Sequence, residues 1–456
     1  KMHQNNVRCT NCHDAHSLKL KFDGNQLCYQ CHKQEDYGNY NHHFHKEYND
    51  EGADLKLANG EILKKGDGSS CIMCHMPGRY FMGVDYRRDH SMRIPRPDLS
   101  DKLGTPNACT QCHTDKSNIW AVEYTEKWYG KNELFHFGET MFLAANGDDK
   151  AVPMLLDLIN SEASSPLVKA SATHYLGVFP NDENRVINNK LLMADEALVR
   201  REAIRNFQAA DLKEYEKLLL PLLDDSNRMI RIEAGSRLWP LLNSDIDSIS
   251  KNKINIAIAD YIETQEYSAD FAAARHNLGN LYSNLGKNEK AIENYVEAIR
   301  IDNLFYPAKI NLAMLYNRMS KNEEAERLLK EVIQNHPEMG SVYYSLGLLQ
   351  AEMANYDKSI ISLQEATKLN PLNSRALFNL FKLYEYKQEF SLAEETLLKC
   401  LNIESANIEF LYAQLEFLLK QKREKQAVDI AKKILELDPD TNDKQVLMEF
   451  INAYSR

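Results

Sequence analysis

The sequence predicts a mainly α protein in which a coil-rich segment, residues 1–120, precedes an all-α solenoid. Up to about residue 115 the chain is rich in Gly, Asn, Asp and His, with turn-forming runs such as Gly66-Asp67-Gly68-Ser69-Ser70. After that point amphipathic helical periodicity dominates, first with a 31-residue period and then with a 34-residue one.

The coil-rich segment holds eight of the nine cysteines, in four clusters: Cys9-Thr10-Asn11-Cys12-His13, Cys28-Tyr29-Gln30-Cys31-His32, Cys71-Ile72-Met73-Cys74-His75 and Cys109-Thr110-Gln111-Cys112-His113. Each reads CxxCH. Two thiols at this spacing can add to the two vinyl groups of one haem, and the following histidine then reaches the iron from the proximal side. Paired CxxC knuckles also occur in zinc ribbons, and cysteines can form disulfides, but neither requires a histidine after every pair. With histidine at 14 of 456 positions, four such placements by chance have a probability on the order of one in a million. The expectation is four covalent haem c groups held by Cys9, Cys12, Cys28, Cys31, Cys71, Cys74, Cys109 and Cys112, with His13, His32, His75 and His113 as proximal iron ligands. A macrocycle tied to the chain at three points supplies the apolar core that this segment lacks, so without haem it is expected to be unfolded.

The opposite face of each iron determines its chemistry. A second histidine makes a low-potential carrier, a methionine raises the potential, and an open site permits catalysis. Ten of the fourteen histidines lie at or before His113, leaving His3, His16, His42, His43, His45 and His90 for four faces. His16 lies three residues from His13, a span of about 11 Å at most, too short to cross the haem that His13 holds. It is therefore expected on a neighbouring haem packed close by. In His42-His43-Phe44-His45 an extended backbone would send His43 and His45 to one side and His42 to the other. Two of the three are expected as ligands, His45 among them, with the third as a hydrogen-bonding neighbour. His3 can reach across the first haem or ligate a haem of another copy of the chain. His90 is far enough past His75 in sequence to loop over a haem. Met76, Met82 and Met92 are the thioether alternatives, and His136 reads as a packed helix residue.

In the 31-residue stretch Val168, Val199 and Ile230 fall in register, as do Ala172, Ala203 and Ala234, and Leu176, Phe207 and Leu238. This resembles three HEAT-like hairpins and delimits a second domain, residues 121–247. In the 34-residue stretch Leu278, Leu312, Leu346 and Leu380 are in register, and so are Ala291, Ala325, Ser359, Ala393 and Ala427, with Pro337, Pro371 and Pro439 ending helices. That is the tetratricopeptide (TPR) pattern, with five repeats over residues 272–441 and capping helices at 252–265 and 442–456, in a third domain spanning 248–456. Cys400 occupies the position of Ala298, Val332, Ala366 and Ile434 and reads as a small buried side chain.

The net charge of −11 and pI near 5.8 argue against nucleic acid and give no basic patch for an anionic membrane. No run of about 18 apolar residues marks a transmembrane helix. The chain opens at Lys1-Met2 without a leader pattern, and haem c is attached outside the cytoplasmic membrane. Residue 1 is therefore read as the start of a processed or truncated chain, located in the periplasm or outside the cell.

The carriers of a wider likeness are Cys71-Ile72-Met73-Cys74-His75-Met76-Pro77, then Asp89-His90-Ser91-Met92-Arg93-Ile94-Pro95-Arg96-Pro97-Asp98, and Gly104-Thr105-Pro106-Asn107-Ala108-Cys109. With these, the chain resembles bacterial multihaem c-type cytochromes with doubled CxxCH motifs and a carboxy-terminal tetratricopeptide array. The resemblance implies a coil-rich tetrahaem cytochrome c domain followed by a HEAT-like and then a TPR solenoid. It also implies electron transport by bis-histidine haems, with His45 and His90 matching ligand positions. Other redox proteins, or further copies of the chain in an extracellular filament, are the expected partners. The competing readings are a reductase of nitrite, hydroxylamine or peroxide with one open haem, and a scaffold with structural haems. No CxxCK variant is present to favour the reductase.

Overall fold

The computed structural model describes residues 2, 5–57, 60, 62–132 and 135–454. It divides into two compact units, Lys1–Gln208 and Ala209–Arg456. The expected boundaries at 120 and 247 are both bridged by packed helices. Pro97–Leu103 lies against Asn118–Tyr129, and Arg228–Arg237 lies against Ser248–Tyr267. At the second contact a Cβ on Gly235 would come within 2.4 Å of the Ala257 Cβ, so glycine is what lets those helices touch.

The first unit begins with short pieces. Each CxxCH cluster sits on or next to a single helical turn: Cys9–Cys12, Gln26–Tyr29, Cys71–His75 and Ala108–Cys112. Between them run the turns Gln34–Tyr37 and Tyr40–His43 and two antiparallel hairpins, Leu55–Lys56 with Ile62–Leu63 and Gly78–Phe81 with Asp85–Arg88. Among the described residues up to His113, the buried apolar side chains of any size are Leu57, Pro97 and Leu99. Side-chain burial alone cannot order such a segment.

Regular helices start where Ser117 caps Asn118–Tyr129 by accepting from the Trp120 amide. Further on, Ser165 caps Pro166–Leu176, with proline in the first turn. The core of this part is Ala144, Ala151, Leu155, Leu158, Ile159, Ala172, Leu176 and Phe179. The 31-residue register corresponds to burial, because Ala172, Ala203 and Ala234 are each fully buried in their own unit. The helical run is interrupted at Tyr215–Leu219, a π turn followed by the 3-10 segment Leu220–Asp224, where Pro221 cannot donate to a regular helix.

In the second unit, Ser248–Tyr267 leads into five helix pairs: Ala272–Asn284 with Asn288–Ile301, Tyr306–Arg318 with Asn322–Asn335, Gly340–Glu352 with Tyr356–Leu369, Ser374–Tyr386 with Phe390–Ile403, and Ile408–Lys420 with Glu424–Leu437. Lys444–Tyr454 follows. Ala291, Ala325, Ser359, Ala393 and Ala427 are all fully buried, since the close approach of paired helices leaves room there only for small side chains. Cys400 is likewise fully buried, its thiol donating to the Ser374 carbonyl at 3.6 Å, and burial pushes its pKa up to about 12. It packs, and is not a reactive thiol.

The 34-residue period also reaches the turns inside each pair. Gly286, Ser320, Ala354, Gln388 and Lys422 all have φ between 55° and 69°. Only the first is a glycine, and an L residue in this region costs about 1 kcal/mol. Ala354→Gly is therefore expected to stabilise the second unit by about 0.5–1 kcal/mol, and Gly286→Ala, whose added Cβ meets nothing within 4 Å, to destabilise it by a similar amount. Urea unfolding of the full chain reads both. An unchanged or lowered midpoint for Ala354→Gly would contradict the assignment of strain to these turns.

Candidate functional site

The histidines of three CxxCH clusters each face a second histidine. The ring centroids of His13 and His90 are 6.3 Å apart, those of His75 and His42 6.2 Å, and those of His113 and His45 6.2 Å, with interplanar angles of 30°, 14° and 36°. A metal–imidazole nitrogen bond is about 2 Å, and the ring centre lies roughly 1 Å beyond the nitrogen. Two imidazoles on opposite sides of one metal ion are therefore roughly 6 Å apart, as these pairs are.

The outer nitrogens support the same arrangement. His13 Nδ1 lies 2.9 Å from the Leu18 carbonyl, His75 Nδ1 2.9 Å from that of Arg93, and His90 Nδ1 2.9 Å from that of Arg88; His45 Nδ1 meets the His43 carbonyl. A carbonyl can only accept, so Nδ1 carries the proton and Nε2 keeps its lone pair for a metal. Burial holds the His42 and His113 imidazoles below the usual histidine range, with the facing histidine adding to the effect, so they too favour the neutral form.

No disulfide joins any of the nine cysteines in this structure. Among the described residues no three His, Cys, Asp or Glu side chains converge on one point as a zinc site would need. Two imidazoles at this spacing, with no third such ligand among the described residues, suit an iron whose four equatorial bonds come from a macrocycle, with a CxxC pair beside one of the two rings. The residues fit haem c.

Successive clusters are close together. Asn25, before the second, donates to the Ser69 carbonyl and accepts from the Cys71 amide that opens the third, at 3.0 and 2.9 Å. The Cys28 and Cys71 thiols hydrogen-bond each other, which raises the first and lowers the second. The Cys12 thiol is pushed up by burial and then by Cys28 and Cys31. Cys74 is pushed up to about 11 by burial and then by Cys109 and Cys112. The order in space follows the order in sequence.

The 42–45 stretch departs from the extended backbone expected of it. His42 and His43 end the turn Tyr40–His43, and Phe44 then adopts φ 54°. The bend puts His42 and His45 against different partners. Its cost, about 1 kcal/mol, is offset by Phe44 stacking on Trp128 at 4.5 Å with planes 1° apart. His43 stays beside His45, its Nδ1 accepting from the His45 amide at 3.2 Å and its Nε2 lying 3.8 Å from Glu47.

Helix Asn118–Tyr129 carries an aromatic stripe that sequence reasoning did not single out. Trp120 packs on His113 at 4.9 Å, Tyr124 on Trp120 at 4.8 Å, Trp128 on Tyr124 at 5.5 Å, and Trp128 reaches His45 at 6.5 Å. The rings lie against the pair of His113 and His45. Their spacing of four residues directly after the last CxxCH was the available signal. Gly68 was missed as well: a Cβ there would lie 2.4 Å from the His45 ring.

The remaining candidates sit elsewhere. The ring contact of His32 among the described residues is with Tyr37, edge-on at 5.4 Å, and Tyr37 in turn meets His42 at 5.2 Å. His16 is exposed on the loop after the first cluster, its amide donating to Asp14. His3 lies outside the described residues. Met76 ends the turn Cys71–His75, Met82 stands at the tip of the hairpin Gly78–Phe81/Asp85–Arg88, and Met92 lies in the bend after His90. His136 caps Phe137–Ala145, accepting from the Gly138 amide, and stacks on Phe137 at 4.4 Å.

Comparison with known proteins agrees with both halves of this arrangement. Residues 3–37 match the doubled CXXCH motif, a range that covers the first two clusters. Residues 272–303, 308–334 and 340–371 match the tetratricopeptide repeat. No curated protein matches the chain in sequence. Solved structures to which it is similar include the MamA protein, 21% identical over 37% of this chain and 92% of that one with a TM-score of 0.35. Another is YrrB, described as a TPR protein with an unusual peptide-binding site, 18% identical over 42% and 97% with a TM-score of 0.35. A third is PilF of Pseudomonas aeruginosa, 16% identical over 49% and 98% with a TM-score of 0.36. The chain thus joins a doubled CXXCH motif, the signature of covalent c-type haem attachment, to tetratricopeptide repeats that serve protein–protein interaction.

Proposed function

We propose that the chain is an electron-transfer protein carrying four haem c groups, closed at three irons by His13 with His90, His75 with His42, and His113 with His45. The observation that carries this reading is the three opposed imidazole pairs at 6.2–6.3 Å. Haem bound at such a site supplies a one-electron couple on a macrocycle that can exchange electrons with a close neighbour, its potential lowered by a second histidine.

The chain's own residues do the rest. The thioether cysteines fix each macrocycle to a helical turn, backbone carbonyls at Nδ1 hold His13, His45, His75 and His90 in the ligating tautomer, and Asn25 keeps the second and third sites in contact. For His32, the ligand left over is His16 or His3. His16 is unable to serve His13 by its reach, and the first two clusters lie side by side.

The repeats are a docking surface on the same chain for a redox partner or for a further copy of the chain, as in a filament. Haem c is attached outside the cytoplasmic membrane, which supports a location in the periplasm or outside the cell. The second reading, a reductase of nitrite, hydroxylamine or peroxide, rests on His32 alone, which faces no other histidine among the described residues.

Two measurements test this. The reduced holoprotein is expected to bind no carbon monoxide and its denatured mass to correspond to four attached haems; a stoichiometric carbon monoxide adduct would favour the open-site reductase, and fewer haems would refute the tetrahaem reading. Separately, Gly68→Ala puts a methyl group into the His45 ring and is expected to turn one of the four oxidised haems high-spin with attachment intact. An unchanged spectrum would remove His45 from the ligand set.

A further inference from the structure

Arg88 differs from the other arginines around the third CxxCH cluster. Arg87 is ion-paired to Asp85 and Arg96 to Asp98. Asp89 accepts from the Ser91 hydroxyl and lies beside Arg93 and Arg79. Arg88 is half-buried, and its partners among the described residues are all neutral. Its guanidinium donates to the Ile72 and Met76 carbonyls, both at 3.3 Å, and to the Met73 sulfur at 3.5 Å, and it lies over the Tyr86 ring at 5.8 Å.

The backbone brings it there. Arg88 ends the strand Asp85–Arg88, opposite the buried Gly78. A Cβ on Gly78 would collide with the Tyr86 ring, so glycine is what lets that ring lie beneath the guanidinium. The two carbonyls that Arg88 meets flank His75 in the chain, and the Nδ1 of that histidine lies 2.9 Å from the Arg93 carbonyl.

A guanidinium stays charged at any pH the protein meets. Held partly out of water with no carboxylate to cancel it, its field reaches the turn Cys71–His75 with less screening than that of an exposed lysine. Carbonyls at the end of a helical turn accept from any donor, and a glutamine amide would serve them too. What arginine adds is the charge.

We propose that Arg88 sets the reduction potential of the third haem, the one held by Cys71, Cys74, His75 and His42. Its positive charge disfavours the oxidised iron and raises the potential, so an electron on the relay dwells at this site longer than the two imidazoles alone would hold it. The step is a one-electron reduction of ferric to ferrous iron by the neighbouring donor, with no bond made and no proton moved. The inference rests on the ligand reading above. The Arg88 carbonyl accepts from His90 Nδ1, a contact that side-chain substitution leaves in place.

The test is a potentiometric titration of the holoprotein followed by electron paramagnetic resonance, with the third haem identified as the low-spin signal that His42→Ala turns high-spin. Arg88→Gln keeps a donor for the carbonyls and removes the charge. It is expected to make reduction of that haem about tenfold less favourable, a fall of about 59 mV, while the other three move less. Arg88→Lys keeps the charge and is expected to hold the potential within about threefold. No fall in Arg88→Gln, an equal fall in both variants, or loss of low-spin iron at the third site in both would overturn the proposal alone and leave Arg88 a cap on the turn. A low-spin spectrum unchanged in His42→Ala would overturn the ligand reading, and the proposal with it.

Discussion

Among the described residues up to His113 few apolar side chains are buried, so the approach of imidazoles in pairs is the constraint around which this segment is organised. Each pair joins residues distant in sequence: His13 to His90, His42 to His75, His45 to His113. The loops between them need no core of their own. They need only hold a backbone carbonyl at Nδ1 and leave Nε2 facing inward. Glycine at 68 and the left-handed turn at Phe44 serve that geometry directly, because a larger residue or a straighter chain would move His45 off His113.

The pair of His45 and His113 also ties the CxxCH segment to the helices after it. Trp120, Tyr124 and Trp128 lie on one face of Asn118–Tyr129, and the Tyr129 hydroxyl donates to the His42 carbonyl. Stacked rings resist tilting more than aliphatic contacts do. The helix that encloses the pair packs in turn on Pro97–Leu103, so the coil-rich segment and the first helices share one compact unit. In the other unit, the fully buried small residue of each repeat keeps paired helices at close spacing.

Much of this was legible in the sequence because it was written as spacing. CxxCH is a local requirement of haem chemistry, and the 31- and 34-residue periods are local requirements of helix packing; both survive without knowledge of tertiary structure. His43 emerges as a neighbour of His45, as a three-histidine cluster feeding two sites suggests. What spacing does not encode is where a loop bends. An extended 42–45 stretch was the simpler reading, and only the stack of Phe44 on Trp128, far along the chain, accounts for the turn. The boundary at 120 followed the change from coil-rich composition to helical periodicity and the one at 247 the change in repeat period, and helices pack across both positions.

The closed coordination of the irons is tested most directly by near-infrared magnetic circular dichroism of the fully oxidised protein, recorded with its electron paramagnetic resonance spectrum, since the two together distinguish histidine from methionine as the second ligand and low spin from high spin. At least three of the four irons are expected to carry the low-spin bis-imidazole signature. Methionine ligation, or high-spin iron at two or more sites, would contradict the opposed pairs as ligand sets.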